Sequence, residues 1–281
     1  MKQTNDETWM RRALHKIVYY LIIFFDSIGI VNRYFLYLFY LLIFAVTGFV
    51  LYVTYIFLSQ PNVEHLVDTN PTTTAFIEYR KEEALDKGDT LQIDHQWISI
   101  KELPRQLRRT IIISEDASFW VHKGFDWYEL ENALRDRFEE GKPLRGASTI
   151  TQQTAKNLFL TPERSLVRKF REFLISRDLE KHLTKTRILE LHLNSIEFGK
   201  GIFGIKSAAG QFFGKTPAQL KLSEMVRLAA ILPAPLQLDP TFASEDLQIR
   251  AFVILKRLRK HKWATEAEYQ KARRELNAFF K

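Results

Sequence analysis

The chain has 281 residues, with 41 Lys and Arg against 33 Asp and Glu, a formal net charge of +8. Its length is enough for one or two domains with a real core, and 46% hydrophobic beside 26% charged residues excludes a disordered or fibrous chain. Cysteine is absent, which excludes disulfide staples, a thiolate nucleophile and Cys-ligated zinc or iron–sulfur sites.

The first element predicted is a membrane span. Tyr34 to Leu58 carries no charge, amide or proline, and as a helix rising about 1.5 Å per residue it is long enough for a hydrocarbon core of about 30 Å. Tyr34, Tyr37 and Tyr40 at one end, and Tyr52 and Tyr55 toward the other, suit the two interfaces. Lys2, Arg11, Arg12, Lys16 and Arg33 precede the run, and no Lys or Arg follows it until Arg80. Positive-inside bias therefore places residues 1–33 in the cytoplasm and everything after Leu58 outside, on an uncleaved anchor. The shorter apolar stretch Ile17 to Val31 is broken by Asp26 and Ser27 and is expected at the interface. The external part stays net basic, which suits anionic headgroups or phosphorylated lipids; no basic region interleaved with stacking aromatics points to nucleic acid.

Residues 59–99 read as a linker and membrane-proximal region: Pro61, Pro71 and Thr72 to Thr74 mark loop, and Glu78 to Gln96 reads as loop with one short strand. From Ile100 to Lys281 the apolar spacing is mostly helical, as in Leu103, Leu107 and Ile111, and Thr265 with Glu268 forms a capping-box pair. No alternating run is long enough for a sheet core, so the fold class is mainly α.

Three segments carry candidate chemistry. The stripe through Leu107 and Ile111 continues to Glu115, where a carboxylate among apolar groups would have a raised pKa suited to a general base or acid; alternatively the helix ends earlier and Glu115 reaches solvent. The residues after it include Asp116, Phe119, His122 and Asp126, without metal-ligand spacing, so that His122 reads as a structural hydrogen-bond partner. Next, RGASTITQQTAKNLFL (Arg145 to Leu160) should start a helix at Ser148 or Thr149, with a Thr149–Gln152 capping box. Its Gln152, Gln153, Lys156 and Asn157 form a polar surface of amides plus one lysine, either merely solvated or suited to sugar and phosphate. Third, Ser165, Arg168, Lys169, Glu172 and Ser176 share a helix face after Arg164. The plain reading is an Arg168–Glu172 salt bridge; the functional one is a diphosphate cradle of Arg164, Arg168 and Lys169. GKGIFG (Gly199 to Gly204) and AGQFFGKT (Ala209 to Thr216) match loose nucleotide-binding patterns but lack the preceding strand.

Taken together, SEDASFWVHKGFD, RGASTITQQTAKNLFL and RKFRE, followed by ILELHLNSIEFGKGIFGIKSAAGQFFGK and LSEMVRLAAILPAP, resemble in order the motifs of the monofunctional biosynthetic peptidoglycan glycosyltransferases and of the transferase half of bifunctional penicillin-binding proteins. Ala147 and Phe212 depart from the commoner glycine and tyrosine. The resemblance implies a lysozyme-like helical domain, behind an N-terminal transmembrane helix, that dips into the bacterial inner membrane and polymerises lipid II. Glu115 would take the proton from the acceptor sugar 4-hydroxyl, and Glu172, Arg168 and Lys169 would sit by the departing diphosphate. Ser148, Gln152, Gln153, Lys156, Asn157 and Arg164 would bind substrate, while Asp116, Phe119, His122 and Asp126 would support the site. It implies no required cofactor, leaving room for a divalent cation such as Mg2+ at the diphosphate. The partners would be lipid II, the growing glycan chain, the membrane and other cell-wall synthases or division proteins. With no SxxK, SxN or KTG triad, no transpeptidase domain is expected. The rival readings are a lysozyme-like glycan hydrolase or lytic transglycosylase, for which the cationic helix has no obvious use, and an inert membrane scaffold.

Overall fold

A computed structural model describes residues 3–139, 141, 148–163 and 165–281, the side chains of 3–10, 30 and 31 excepted. The chain divides into two units, residues 1–59 and 60–281.

The first unit is one helix, α1 (Gln3–Leu58), of 56 residues. At 1.5 Å per residue it is about 84 Å long, so only part of it can lie within a hydrocarbon core. The stretch 17–31, expected at the interface, is continuous with the apolar run that follows; no turn separates them. Arg11–Leu58 is apolar and long enough to cross a membrane, and side chains such as Phe35, Leu41, Phe44 and Leu51 are exposed along it.

The second unit is mainly helical. Its helices are α2 (Ala75–Asp86), α3 (Arg105–Glu115), α4 (Trp127–Glu139), α5 (Ile150–Phe159), α6 (Leu166–His182), α7 (Lys185–Ser195), α8 (Ile205–Phe213), α9 (Leu222–Ile231), α10 (Glu245–Lys260) and α11 (Glu266–Phe279). α2 corrects the loop expected there. Its charges are spaced for ion pairs along the helix, Lys81 with Glu78, Arg80 with Glu83 and Lys87 with Glu83, and Thr74 caps its N-terminus by accepting from the Ile77 N–H. The high charge density that suggested a loop is in this register a helix stabiliser.

A small sheet also forms where none was expected in the core. β1 (Asp94–His95) pairs in parallel with β3 (Ile202–Phe203), which pairs antiparallel with β2 (Glu197–Gly199). Gly199 to Gly204, the discarded nucleotide pattern, is thus a hairpin. The segment after β1 is tied to α7, since Asn194 donates to the Ile98 carbonyl and accepts from the Ile98 N–H.

The main apolar core, with Leu107, Ile111, Ile150, Ile188, Leu228 and Leu255, joins α3 to α5–α11, while Phe76 and Ile77 of α2 form a smaller cluster with Phe203. α5 packs against α6 and α7, while α3, α9 and α10 pack against one another. The capping boxes predicted at Thr149–Gln152 and Thr265–Glu268 are both formed. Ser165, expected on a face of α6, is instead its N-cap and accepts from the Arg168 N–H.

Gly201 is the tightest point of the hairpin. Its φ is +76°, and a Cβ there would run into the Gln92 carbonyl oxygen. Gly201→Ala is therefore expected to destabilise the fold by about 2–3 kcal/mol, measured as a lowered thermal unfolding midpoint of the detergent-solubilised chain.

Candidate active site

The site is assembled on α5, because each neighbouring element sends a polar side chain to it. α3 ends at Glu115, so the helix does reach this residue, and Gln153 on α5 donates from Nε2 to Glu115 Oε2 at 2.8 Å. Ser114 donates to Oε1 at 3.3 Å. Glu115 is half-buried; the desolvation of its carboxyl, with a smaller push from Asp116, raises its pKa against the opposing effects of Gln153, Ser114 and Lys156.

The next residue turns the other way. Asp116 is the C-cap of α3 and is buried; it accepts from the Ile150 N–H at 2.9 Å and from His122 Nε2 at 2.8 Å. His122 Nδ1 in turn accepts from the Gly124 N–H at 3.1 Å, which leaves the ring proton on Nε2. Thr149 donates to the Gly124 carbonyl at 2.7 Å, while Gln152 accepts from the Thr149 N–H. Asp126 caps α4 by accepting from the Glu129 N–H and also accepts from Ser118. Phe119 is fully buried. Asp116, Phe119, His122 and Asp126 thus hold the loop between α3 and α4 against the start of α5. Gln152, expected at the substrate, is buried and engaged in the cap; Gln153 takes the place beside the acid.

Glu172 of α6, the helix packed against α5, is only 3% exposed. Its Oε2 accepts from Arg168 Nη1 at 2.9 Å and its Oε1 from Lys169 Nζ, while Lys169 also reaches Ser148 Oγ at 3.4 Å. The sequence's plain reading, an intrahelical ion pair, is therefore formed, and it gathers two cations at one buried carboxylate. Arg164 lies outside the described residues.

Between the two acids stands Lys156. Burial lowers its pKa, and the charges of Glu172, Arg168, Lys169 and Glu115 all reach it. With Gln153 and Asn157 it lines a cleft of about 380 Å³ whose other wall is the apolar turn Leu232–Leu236. Sequence reading missed three members of this neighbourhood. Phe76 and Arg80 line the cleft from α2, in the stretch taken for linker, and Glu197 lines it from β2. Arg80 holds Glu197 through Nε at 2.9 Å and Nη2 at 2.8 Å. The one sequence signal for them was the i, i+3 charge spacing of α2. Beneath the site, His192 is fully buried, and burial pushes its pKa down to about 3, so it adds no charge.

Two acids face one lysine across a polar helix, with paired cations behind one of them. A profile described as Transglycosylase matches residues 82–259. The chain belongs to the transglycosylase family. Its relatives include a biosynthetic peptidoglycan transglycosylase of Herminiimonas arsenicoxydans, 41% identical over 192 residues, covering 68% of this chain and 83% of that one. The protein of the same name from Neisseria meningitidis serogroup B is 39% identical over 188 residues, covering 67% and 81%. A crystal structure of penicillin-binding protein 1A from Haemophilus influenzae shares 20% identity at a TM-score of 0.37; the match covers 65% of this chain and 18% of that longer one, a likeness too slight to carry weight. The transglycosylase match includes Glu115, α5 and α6 but begins after Phe76 and Arg80.

The Asp116 hub implies a stability effect separate from any chemistry. Asp116→Ala leaves the Ile150 N–H and His122 Nε2 without their buried acceptor, and is expected to cost about 2–3 kcal/mol in equilibrium denaturation, whereas Asp116→Asn, which keeps an acceptor oxygen, should lose less.

Proposed function

We propose that this chain polymerises lipid II into linear peptidoglycan glycan strands, by inverting transfer with release of undecaprenyl diphosphate. The observation that carries the reading is the division of labour around α5: a desolvated carboxyl held by an amide on one side, and a cation cluster organised by a second carboxylate on the other. A base and an anion site within one neighbourhood suit displacement of a diphosphate.

In this mechanism Glu115 takes the proton from the 4-hydroxyl of the acceptor sugar. The freed oxygen pair attacks the anomeric carbon of the growing chain's terminal MurNAc. The bond from that carbon to the diphosphate oxygen breaks and its electron pair leaves with the diphosphate. Lys156, Arg168 and Lys169 meet the developing charge, and Ser148, Gln153 and Asn157 bind the sugars and phosphates. A single in-line displacement converts the α-linked diphosphate to a β-1,4 bond. No strong acid is needed, because a diphosphate among cations is already a stable anion. Among the described residues no group of three or more His, Asp or Glu side chains is arranged to hold a metal ion, and no step here is routed through one.

The apolar α1 is compatible with a membrane anchor. The basic residues before its apolar run support a single-pass arrangement in the bacterial inner membrane, with the N-terminus cytoplasmic and the catalytic unit outside, where lipid II and other wall synthases would be met.

The detergent-solubilised protein with lipid II should yield glycan polymer; release of fragments from finished peptidoglycan instead would identify a hydrolase. Glu115→Gln should reduce polymerisation by about 10²–10⁴-fold without lowering stability at neutral pH. The sign follows from the raised pKa: the fold favours the protonated carboxyl, so any stability it contributes is present at low pH and lost as pH rises through that pKa. The uncharged amide avoids this loss.

Gln153→Ala should shift the acid limb of the kcat/KM profile to higher pH. Gln153 stabilises the charged form of Glu115, so its removal raises that pKa further, and a base must be deprotonated to act. A limb that stays in place would take Glu115 out of the base role.

A further inference from the structure

Lys156 holds an unusual position in the cleft. Among the described residues its ammonium forms no ion pair and no side-chain hydrogen bond, although Glu115 and Glu172 both act on it electrostatically. A third acid, Glu197, lines the same cleft and feels the charge of Lys156. A buried, unpaired carboxylate recruits whatever cation can reach it, and a lysine on its flexible stem is the side chain best able to swing over.

What occupies Glu197 is Arg80. Its Nε and Nη2 take the two carboxylate oxygens, one each, and its Nη1 is anchored to Glu83 at 2.7 Å. Both ends of the pair are set by backbone: Arg80 by α2, which Thr74 caps, and Glu197 by its place in β2 opposite Phe203. Phe76, one turn before Arg80, completes the arrangement. The Arg80 guanidinium lies 5.2 Å from its ring centroid and the Lys156 ammonium 5.6 Å from the same centroid, so one aromatic ring attracts both cations.

We propose that Arg80 is a positioning residue for the transfer reaction: by holding both oxygens of Glu197 it keeps the Lys156 ammonium unpaired, over Phe76, and free for the diphosphate of the substrate. The inference rests on the proposed function for the identity of the anion. It extends the working site to Phe76 and Arg80 of α2, which precede residue 82, where the match to the transglycosylase family begins. The plainer role, in which the ion pair merely staples α2 to the sheet, makes the opposite forecast for a double variant. Losing both partners removes a staple completely, but it also removes the acid that would capture Lys156.

The test compares Arg80→Met, Glu197→Gln and the double variant in the detergent-solubilised full chain, by initial rates on lipid II, thermal unfolding, and calorimetric binding of inorganic pyrophosphate. Arg80→Met should lose about tenfold or more in rate and bind pyrophosphate more weakly, as expected when a buried charge is left to find another partner. Glu197→Gln and the double variant should both stay within about threefold of wild type in rate and pyrophosphate affinity, although the ion pair is gone in each. A double variant as impaired as Arg80→Met overturns the proposal, as does an Arg80→Met protein with unchanged pyrophosphate affinity. Should Arg80→Met fail to fold, the Glu197→Gln single variant and the double variant decide: retention of pyrophosphate binding in both supports the positioning role, and its loss in either refutes it. A wild-type protein that makes no polymer would count against the substrate assignment, while the pyrophosphate series would still judge the pair.

Discussion

Carboxylates out of water are the constraint on which this structure is built. Glu115, Glu172 and Glu197 all sit around one helix, and each is met differently: by an amide and a hydroxyl, by two cations on its own helix, and by a guanidinium from a distant one. A buried charge without a partner costs several kcal/mol, so the three environments cannot be exchanged. Only at Glu115 are the direct partners neutral, and there the charged form remains disfavoured. Once deprotonated, a carboxylate in that setting is a stronger base than one in water. Glu172, with a cation on each oxygen, is placed instead to gather positive charge.

α5 links these environments because its polar and apolar positions have separate duties. Ile150, Ala155 and Leu158 pack into the core, Thr149 and Gln152 close the N-terminus, and Gln153, Lys156 and Asn157 face the cleft. The Asp116 carboxylate, accepting from the Ile150 N–H, fixes where the helix begins and so where Gln153 meets Glu115. Placement by backbone hydrogen bonds is what a reaction sensitive to small displacements needs. In the proposed reaction the hub would act through this placement.

Much of this was legible in the sequence where the signal was local. The capping boxes at Thr149 and Thr265 follow from spacing alone, and the continuation of an apolar stripe to Glu115 pointed to a carboxyl short of water. Partners distant in the chain could not be read that way. Arg80 and Glu197 are 117 positions apart, and their meeting depends on the β1–β3–β2 sheet, whose strands are too short for a period-two pattern. The charge and Gly content of Glu78 to Gln96 reads as loop, although the spacing of the charges in α2 favours a helix. Gln152 and Gln153 are alike as residue types; the cap takes Gln152, three positions after Thr149, while the contact of Gln153 with Glu115, 38 positions away, has no local signal.

In the proposed reaction the leaving group explains why the cations matter more than a second acid would. A glycosidase must protonate a sugar oxygen, and its two carboxyls divide that work between acid and base. Here both oxygens of Glu172 are already engaged by Arg168 and Lys169, so the residue is poorly placed to donate a proton but well placed to hold cations where a diphosphate would depart. Lys156, unpaired among the described residues and partly stripped of water, would add a charge that a solvated surface lysine could not apply as strongly, because attraction between charges grows as the local dielectric falls. That gain exists only while the neighbouring acids leave the ammonium free. The arrangement of the cleft is therefore as much about which carboxylates are kept occupied as about which one reacts.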